Sequence, residues 1–282
     1  LRQTVEDELG VSIDTVFSRF SDQPVASASV GCVFRATLKR DGLEVAVKVR
    51  RPGVRSQVAI DLAILADVAR RLEQFVPSLK RFYPTQMVRE FSDALRDELN
   101  FRAEAEKTER LRAAIARHAN VDVPEVIHDL TTHKLLVTRW IEGVDPSDEV
   151  ARGRLKIAPS VLAQQVALSV LRQALDDGCF HADPHPGNVR ITEAGQAFFL
   201  DVGHVSYIGR QSRDQLRRLL TAMFLERADQ VVTVLVNAGI VGPDVSLHLL
   251  QHDVDRSLAQ HVAQRAAPQF GQLVNDFFVT VR

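Results

Sequence analysis

The chain contains few cysteines and has no large excess of charge of either sign. Only two of its 282 residues are cysteines, and the formal net charge is −1. Cys32 and Cys179 lack the spacing of a metal site, and so few thiols are typical of a protein that lacks a disulfide framework and works in a reducing compartment. The balanced charge provides no basic field for nucleic acid, so we expect no nucleic-acid partner.

Long apolar runs are also missing. No stretch reaches the roughly 18 apolar residues that suggest a membrane-spanning helix, and the N-terminus lacks the basic-then-apolar order of a signal peptide. The chain as given is therefore expected to be soluble and cytoplasmic. It begins without methionine and ends at Val281 and Arg282 inside an apolar helical pattern. We expect a fragment of a longer protein, in which any membrane-spanning segments lie outside this sequence.

What is present is an ordinary globular composition, with 45% hydrophobic and 25% charged residues. Apolar periodicity and turn signals predict an α+β protein whose strands lie mostly in its first half. The predicted helices are 1–20, 52–75, one or two within 84–117, 159–178 and the chain after residue 209. The predicted strands are 24–37, 43–50, 121–128, 133–139, 189–192 and 197–201. A connector at 140–147 places the boundary between a mixed lobe, 1–141, and a mainly helical lobe, 142–282.

The segment HADPHPGN at 181–188, followed by LDVG at 200–203, carries the strongest chemical signal. Asp183, Asn188 and Asp201 have the order and spacing that protein-kinase-like enzymes use around a nucleoside triphosphate. The phosphates are highly charged, and Mg²⁺, which neutralises them, prefers oxygen ligands. We therefore predict that Asp201 and Asn188 bind Mg²⁺ and that Asp183 accepts the proton of the phosphoryl acceptor. The expected fold is a bilobal protein-kinase-like fold with the nucleotide between its lobes.

The first lobe supplies a candidate cation for the phosphates. Lys48 ends the strand VAVK at 45–48, and Ala46 points to the same face of that strand. The small alanine leaves room for a flat base, and Glu104 is the predicted partner of the lysine. Around Glu104 the sequence is rich in charges, so a solvated helix face stays open as the alternative. Thr138 and Trp140, beside the connector, complete the predicted nucleotide contacts.

Ala26, Ser27, Ala28 and Ser29 occupy the place of a phosphate-covering loop. Successive backbone N–H groups of small residues can bind phosphate oxygens. Alanine resists the positive φ that glycine accepts, so we expect this loop to be stiffer than a glycine-rich one.

Together these segments resemble the UbiB-type atypical kinases, the quinone-biosynthesis family that includes the mitochondrial coenzyme Q kinases. The resemblance covers about residues 14–225 and also involves RPGV at 51–54 and ELNF at 98–101. It implies ATP or ADP and Mg²⁺ as cofactors and a role in terpenoid-quinone biosynthesis, of the ubiquinone or menaquinone type, at the periphery of the inner membrane. The implied partners are an isoprenoid-quinone precursor or lipid, the membrane surface and biosynthetic enzymes. By position, Lys48 and Glu104 match the family's lysine–glutamate pair, Asp183 its catalytic-loop aspartate, and Asn188 and Asp201 its metal ligands.

The sequence departs from that family at several points. Asn100 stands where aspartate is usual, Cys32 where glutamine is usual, and Val202 where phenylalanine is usual. Val202 is expected to loosen the packing around Asp201. The family's Lys-x-Gly-Gln segment is absent from this sequence.

Three functions remain open at this point. The first is an active ATP-dependent enzyme, either an ATPase or a kinase of a lipid intermediate. The second is a nucleotide-switched scaffold with little catalysis, which the changes at Asn100 and Val202 favour. The third is an aminoglycoside- or choline-kinase-like phosphotransferase, which the HADPHPGN segment suits but the alanine-rich loop does not.

Overall fold

A computed structural model describes residues 1–27, 30–118, 120–153, 155, 157–242 and 245–263, apart from the side chains of Pro77, Arg81 and residues 260–263. The chain forms two compact units. The larger combines Leu1–Val170 with Cys179–Ser206, and the smaller combines Leu171–Gly178 with the described residues from Tyr207 onward. The larger unit contains segments of both predicted lobes, and the lobe boundary at residue 141 stays a prediction.

All strands of the described chain lie before residue 208, together with seven helices, and its remaining elements are helices. The strands are β1 (Phe17–Phe20), β2 (Ala26–Ser27), β3 (Gly31–Leu38), β4 (Glu44–Arg50), β5 (Val121–Asp122), β6 (Leu135–Arg139), β7 (Cys179–His181), β8 (Val189–Ile191), β9 (Ala197–Phe199) and β10 (Val205–Tyr207). The helices are α1 (Arg2–Leu9), α2 (Ile13–Val16), α3 (Val54–Phe75), α4 (Pro84–Glu98), α5 (Phe101–Ile115), α6 (Glu149–Arg152), α7 (Pro159–Arg172), α8 (Arg210–Phe224), α9 (Ala228–Asn237) and α10 (Leu247–Ala263).

A five-stranded antiparallel sheet organises the first part of the larger unit. Its path is β1-β3-β4-β6, and β2 pairs with β3. The turn between β3 and β4 contains Asp41 and Gly42, and Gly42 has φ +73°. Glycine takes this left-handed conformation without a Cβ clash, which is why the pair marks the turn.

The two faces of β4 have different surroundings. Val45, Val47 and Val49 are completely buried in a core that includes side chains of β1, β3 and β6. Since side chains alternate along a strand, Ala46 and Lys48 lie on the other, partly open face. The open face therefore carries the predicted nucleotide residues.

Short strands and α5 build the second part of the larger unit. β9 pairs with β5 in parallel and with β8 in antiparallel orientation, and β7 pairs with β10. Leu111 and Ile115 of α5 pack in one core with Ile191 and Phe199 of the three-stranded sheet. This core anchors α5 next to the segments that carry the HADPHPGN and LDVG motifs.

α3 and α4 form a helical hairpin, and a 3-10 turn at Pro77–Phe82 joins them. α3 has 22 residues, of which Leu62 and Ala69 are buried. α4 buries Ser92. The hairpin thus contributes little to the main cores.

The prediction of one helix over residues 1–20 is wrong at its end. α1 stops at Gly10, which has φ +71° and ends the helix, and the chain enters β1 at Phe17. Val16 and Phe20 have helical spacing, but pairing of β1 with β3 buries Phe17 and overrides it. The strand predicted at 121–128 is shorter: Val121–Asp122 forms β5, and Val126 makes only an isolated bridge to Thr138. The helix predicted at 159–178 ends as α-helix at Arg172 and continues as a π-helical turn, Gln173–Asp177.

The smaller unit is helical, as predicted for the chain after residue 209. Ala222, Val231, Leu235 and Val254 of α8, α9 and α10 share one core. Within the part of the chain that the structure describes, no helix combines the length and the apolar character needed to cross a bilayer.

Candidate active site

The β4 lysine and the α5 glutamate form a buried ion pair. Lys48 Nζ lies 2.7 Å from Glu104 Oε1, and the two side chains are 13% and 4% exposed. Burial lowers the pKa of Lys48, but attraction to Glu104 and Asp201 outweighs it, so the pKa lies above its ordinary value. Burial raises the pKa of Glu104, and the Lys48 ammonium acts against that rise. Glu104 is therefore not on a solvated helix face.

Asp201 joins this pair from the LDVG segment. Its Oδ2 lies 3.5 Å from Lys48 Nζ, and its Oδ1 accepts a 3.0 Å hydrogen bond from the backbone N–H of Gly203. Burial raises the pKa of Asp201, but Lys48 and the Gly203 N–H lower it more, so the pKa lies below its ordinary value. Val202 is 1% exposed and belongs to the α5 core. The carboxylate is thus held in its charged form on a loop that is anchored in the interior.

His181 connects the two motif segments through one buried ring. Its Nε2 donates to the backbone oxygen of Asp201 at 2.8 Å, and its Nδ1 accepts from the backbone N–H of Asp183 at 3.1 Å. A carbonyl only accepts and an N–H only donates, so the ring is neutral with its proton on Nε2. Burial lowers the pKa of His181. We did not predict this residue as a site residue, although it begins the HADPHPGN segment.

Asp183 and Asn188 lie in the turn between β7 and β8. Asn188 Nδ2 donates to the backbone oxygen of Asp183 at 3.3 Å, and this bond does not use the amide oxygen, which can act as a metal ligand. The Asp183 side chain is 51% exposed, and His185 Nε2 lies 3.8 Å from its Oδ2. The predicted acceptor carboxylate is therefore open to an incoming group.

α5 also contacts the LDVG loop one turn beyond Glu104. Lys107 Nζ donates to the backbone oxygen of Gly203 at 3.2 Å. The same helix thus holds the β4 lysine through Glu104 and the loop that carries Asp201 through Lys107. Sequence reasoning missed this contact, because nothing in the local pattern distinguishes Lys107 from the other charged residues of the helix.

The alanine-rich segment is described only in part. Ala26 and Ser27 form β2, and the Ser27 hydroxyl accepts a 2.8 Å hydrogen bond from Arg51. Ala28 and Ser29 lie outside the described residues. The role of this segment in covering phosphates stays a prediction.

Ala46, Thr138 and Trp140 follow the open face of the sheet. Lys48 pairs with Leu136 and Ala46 with Thr138, so alternation puts Trp140 on the same face, further from the lysine. The indole donates from Nε1 to Glu142 at 3.0 Å, and the Arg35 guanidinium lies 4.7 Å from the ring centroid. An open depression of about 530 Å³ next to Trp140 is lined by Asp41, Gly42, Leu43, Glu44 and Arg139. It includes none of Lys48, Asp183, Asn188 and Asp201, so contacts between side chains, not this depression, define the candidate site.

Asn100 has a local structural partner. It precedes α5, and its Oδ1 lies 2.9 Å from His133 Nδ1. The amide that replaces the family's aspartate thus bonds to a neighbouring turn.

A pre-built metal cluster is not found among the described residues, where no group of three or more His, Cys, Asp or Glu side chains could hold an ion. Mg²⁺ bound together with phosphates takes only one or two protein oxygens and keeps water as its other ligands. The Asp201 carboxylate and the Asn188 amide oxygen are chemically suited to that arrangement.

Comparison with known proteins gives the family. The profile of the ABC1 atypical kinase-like domain matches residues 1–235. The chain belongs to the ABC1 atypical kinase family. This ABC1 chain is similar to the chloroplastic protein ACTIVITY OF BC1 COMPLEX KINASE 3 of Arabidopsis thaliana, with 35% identity over 209 residues, 74% of this chain and 29% of the relative. It is also similar to the probable protein kinase UbiB of Aliivibrio fischeri, with 31% identity over 287 residues, 100% of this chain and 53% of the relative.

A solved structure gives the same result for the fold. The complex of Rv3197 with erythromycin from Mycobacterium tuberculosis matches this ABC1 chain with a TM-score of 0.71 and 25% identity, over 93% of this chain and 65% of that one. The predicted UbiB-type resemblance and the predicted α+β protein-kinase-like fold are confirmed. The ABC1 chain spans about half the length, or less, of these curated relatives.

Proposed function

We propose that this chain binds ATP or ADP with Mg²⁺ at the Lys48–Asp201 site and catalyses phosphoryl transfer, as an ATPase or as a kinase of a small isoprenoid-quinone precursor or lipid. One observation carries the proposal. The Lys48 ammonium contacts both Glu104 and Asp201, at 2.7 and 3.5 Å, in a partly buried place. A cation and a carboxylate held side by side in this way suit the phosphates and the metal ion of a nucleotide.

The chain's own residues have distinct tasks in this proposal. Glu104 fixes the direction of Lys48, which binds phosphate oxygens. Asp201 and Asn188 hold Mg²⁺, which neutralises the charge on the phosphates when it is bound. Asp183, half-exposed, accepts the proton of the attacking hydroxyl or water. His181 keeps the Asp183 and Asp201 loops at a fixed separation through its two hydrogen bonds.

The cellular role follows from the resemblance to UbiB-type proteins. We propose that the whole protein supports ubiquinone- or menaquinone-type biosynthesis, positioned peripherally at the inner membrane and in contact with biosynthetic enzymes. The ABC1 profile match and the similarity to probable protein kinases UbiB support this reading over the aminoglycoside- or choline-kinase-like alternative.

Nucleotide hydrolysis and binding test the proposal. Asp183→Asn removes the proton acceptor but leaves the phosphate and metal contacts, so Mg²⁺-dependent phosphate release should fall about 10²- to 10⁴-fold while ATP affinity is retained. Asp201→Asn should instead abolish the dependence of ATP binding on Mg²⁺, measured by calorimetry.

The matched control is Asp255→Asn, which changes an exposed aspartate of α10 and should behave as wild type. Equal phosphate release by wild type and Asp183→Asn, with ATP binding intact, would leave the nucleotide-switched scaffold as the function. Absence of ATP binding in wild type would refute both.

A further inference from the structure

The end of the α3–α4 hairpin exposes an unusual number of large apolar side chains. Phe75, Phe82, Tyr83, Met87 and Phe91 are 70%, 54%, 63%, 61% and 53% exposed. They come from the last turn of α3, the joining 3-10 turn and the first half of α4. We name the segment from residue 74 to residue 91 the hairpin tip. Soluble monomers rarely expose large apolar groups so densely, and such patches usually mark contacts with a protein or a membrane.

The apolar surface continues from the hairpin tip along α3. Ile60, Ile64 and Val68 are 57%, 58% and 46% exposed, and they follow each other at one-turn spacing. The two helices bury little besides Leu62, Ala69 and Ser92. The main cores therefore cover little of the hairpin, and one side of it exposes apolar side chains to water.

Charge distinguishes the hairpin tip from the rest of the hairpin. The hairpin tip contains three basic residues, Lys80, Arg81 and Arg89, and a single acidic residue, Glu90. In the remainder of α3 and α4, acidic and basic residues alternate and form pairs such as Arg71 with Asp67 and Arg96 with Asp93. The hairpin tip therefore combines exposed aromatic rings with a net positive charge.

We propose that the hairpin tip docks on an anionic membrane surface. Aromatic side chains are favoured at the boundary between headgroups and acyl chains, and basic residues are attracted to anionic headgroups. Phe75, Phe82 and Tyr83 enter that boundary, and Lys80 and Arg89 contact the lipid phosphates. The inference deepens the membrane role of the proposed function and rests on it for its biological purpose, but the surface itself is independent of the nucleotide site.

A second copy of the chain fits the hairpin tip less well. In a two-fold symmetric dimer each patch meets itself, so the basic residues of one tip would face those of the other. Like charges in such a contact repel, and Glu90 is the single acidic residue of the tip that could offset its three basic ones. The charge thus favours an anionic lipid surface as the occupant.

Vesicle flotation with the 282-residue chain tests the proposal. Wild type should bind vesicles of phosphatidylcholine with about 30% phosphatidylglycerol at least about fivefold more than vesicles of phosphatidylcholine alone, and 0.5 M salt should weaken this binding, because screening is strong at such salt. Phe75→Ser with Phe82→Ser, and separately Lys80→Glu with Arg89→Glu, should each lower binding to anionic vesicles at least about fivefold.

The matched controls change the same residue types elsewhere. Phe224→Ser replaces a phenylalanine that is 87% exposed in the smaller unit, and Lys39→Glu with Arg218→Glu reverses two exposed charges away from the tip. Both should bind anionic vesicles as wild type does. Equal binding of tip variants and controls, or a wild type that ignores lipid charge, would overturn the proposal.

Two further measurements separate the possible outcomes. Light scattering that shows a wild-type dimer, converted to a monomer by the tip substitutions, would identify the surface as a self-association site and overturn the membrane assignment. ATP binding is measured on the same variants and should be unchanged. A wild type that binds ATP but not vesicles would refute this inference alone. A wild type that binds vesicles but not ATP would refute only the nucleotide function.

Discussion

At the residue scale, His181 is the side chain that joins the two motif segments of the site. Its neutral ring donates to the Asp201 backbone and accepts from the Asp183 backbone. A second proton would have to displace the Asp183 N–H from Nδ1. Protonation of this buried ring therefore breaks a contact as well as creating a buried charge.

The stability of the protein should consequently depend on pH through His181. The folded pKa lies below the unfolded value of about 6.5 because of burial, so the unfolded chain takes up the proton first as pH falls. The stabilisation that the neutral His181 ring contributes is complete above about pH 6.5 and is lost below it. The free energy of unfolding then falls by at most about 1.4 kcal/mol per pH unit. Urea unfolding at pH 7.5 and 5.5 should show a smaller loss for His181→Gln than for wild type, whereas exposed His248→Gln should follow wild type. Parallel curves for wild type and His181→Gln would contradict the assignment.

Lys107 acts through the loop that carries Asp201. Lys107→Met keeps the aliphatic stem but removes the donor to the Gly203 oxygen, a bond of about 1 kcal/mol. We expect the Mg²⁺ concentration for half-maximal ATP binding to rise about three- to tenfold, and Lys107→Arg to restore it in part. Exposed Lys39→Met serves as the control. A melting temperature that falls without any change in the Mg²⁺ requirement would show that Lys107 has a purely structural role.

At the element scale, the connector after β6 is fastened to β8. Val144 and Ile191 exchange two backbone hydrogen bonds of 2.9 and 3.0 Å, and Arg190 lies 3.1 Å from Asp145. A Cβ on Gly143 would lie 2.6 Å from the Ile191 backbone oxygen. The approach requires glycine, and it sets the position of the strand that immediately follows Asn188.

Gly143→Ala should therefore destabilise the fold by about 1–3 kcal/mol, since backbone has to move to admit the methyl group. Gly153→Ala is the matched control, because the nearest atoms to its added Cβ lie at 3.5 Å, an ordinary contact, and it should change stability by less than about 0.5 kcal/mol. Chemical denaturation of both variants provides the measurement. Equal effects would mean that the chain relaxes around residue 143 without cost.

Elements with strong local signals could be predicted from the sequence, and those that depend on distant pairing could not. The Asp41–Gly42 turn, the β3–β4 hairpin and the helices of residues 54–115 follow from turn chemistry and periodicity. β7 and β10 have three residues each and pair with each other. Strands this short are too short to show a local sequence pattern, so their pairing could not be predicted. The Lys48–Glu104 contact was predicted from motif order, whereas the Lys107 and His181 contacts depend on backbone atoms that sequence spacing does not locate.

At the scale of the whole molecule, the order of the motifs along the chain is enough to predict the kinase-like fold. The lysine of β4, the glutamate of α5 and the two motif segments come together in the larger unit, although they are spread from residue 48 to residue 201. The smaller, helical unit contributes none of the predicted site residues. The chemistry proposed for the chain thus belongs to one compact body.

α4 begins beside Tyr83 and ends at Glu98, and only Leu99 and Asn100 separate it from α5, which carries Glu104. The hairpin tip and the ion pair are therefore joined by two successive helices, with an extended residue, Asn100, between them. If lipid at the hairpin tip and nucleotide at the ion pair both bias the position of these two helices, thermodynamic reciprocity makes the effect mutual. A bilayer that tightens ATP binding tenfold would then be held ten times more tightly by the ATP-loaded protein, so the two affinities would report a single coupling.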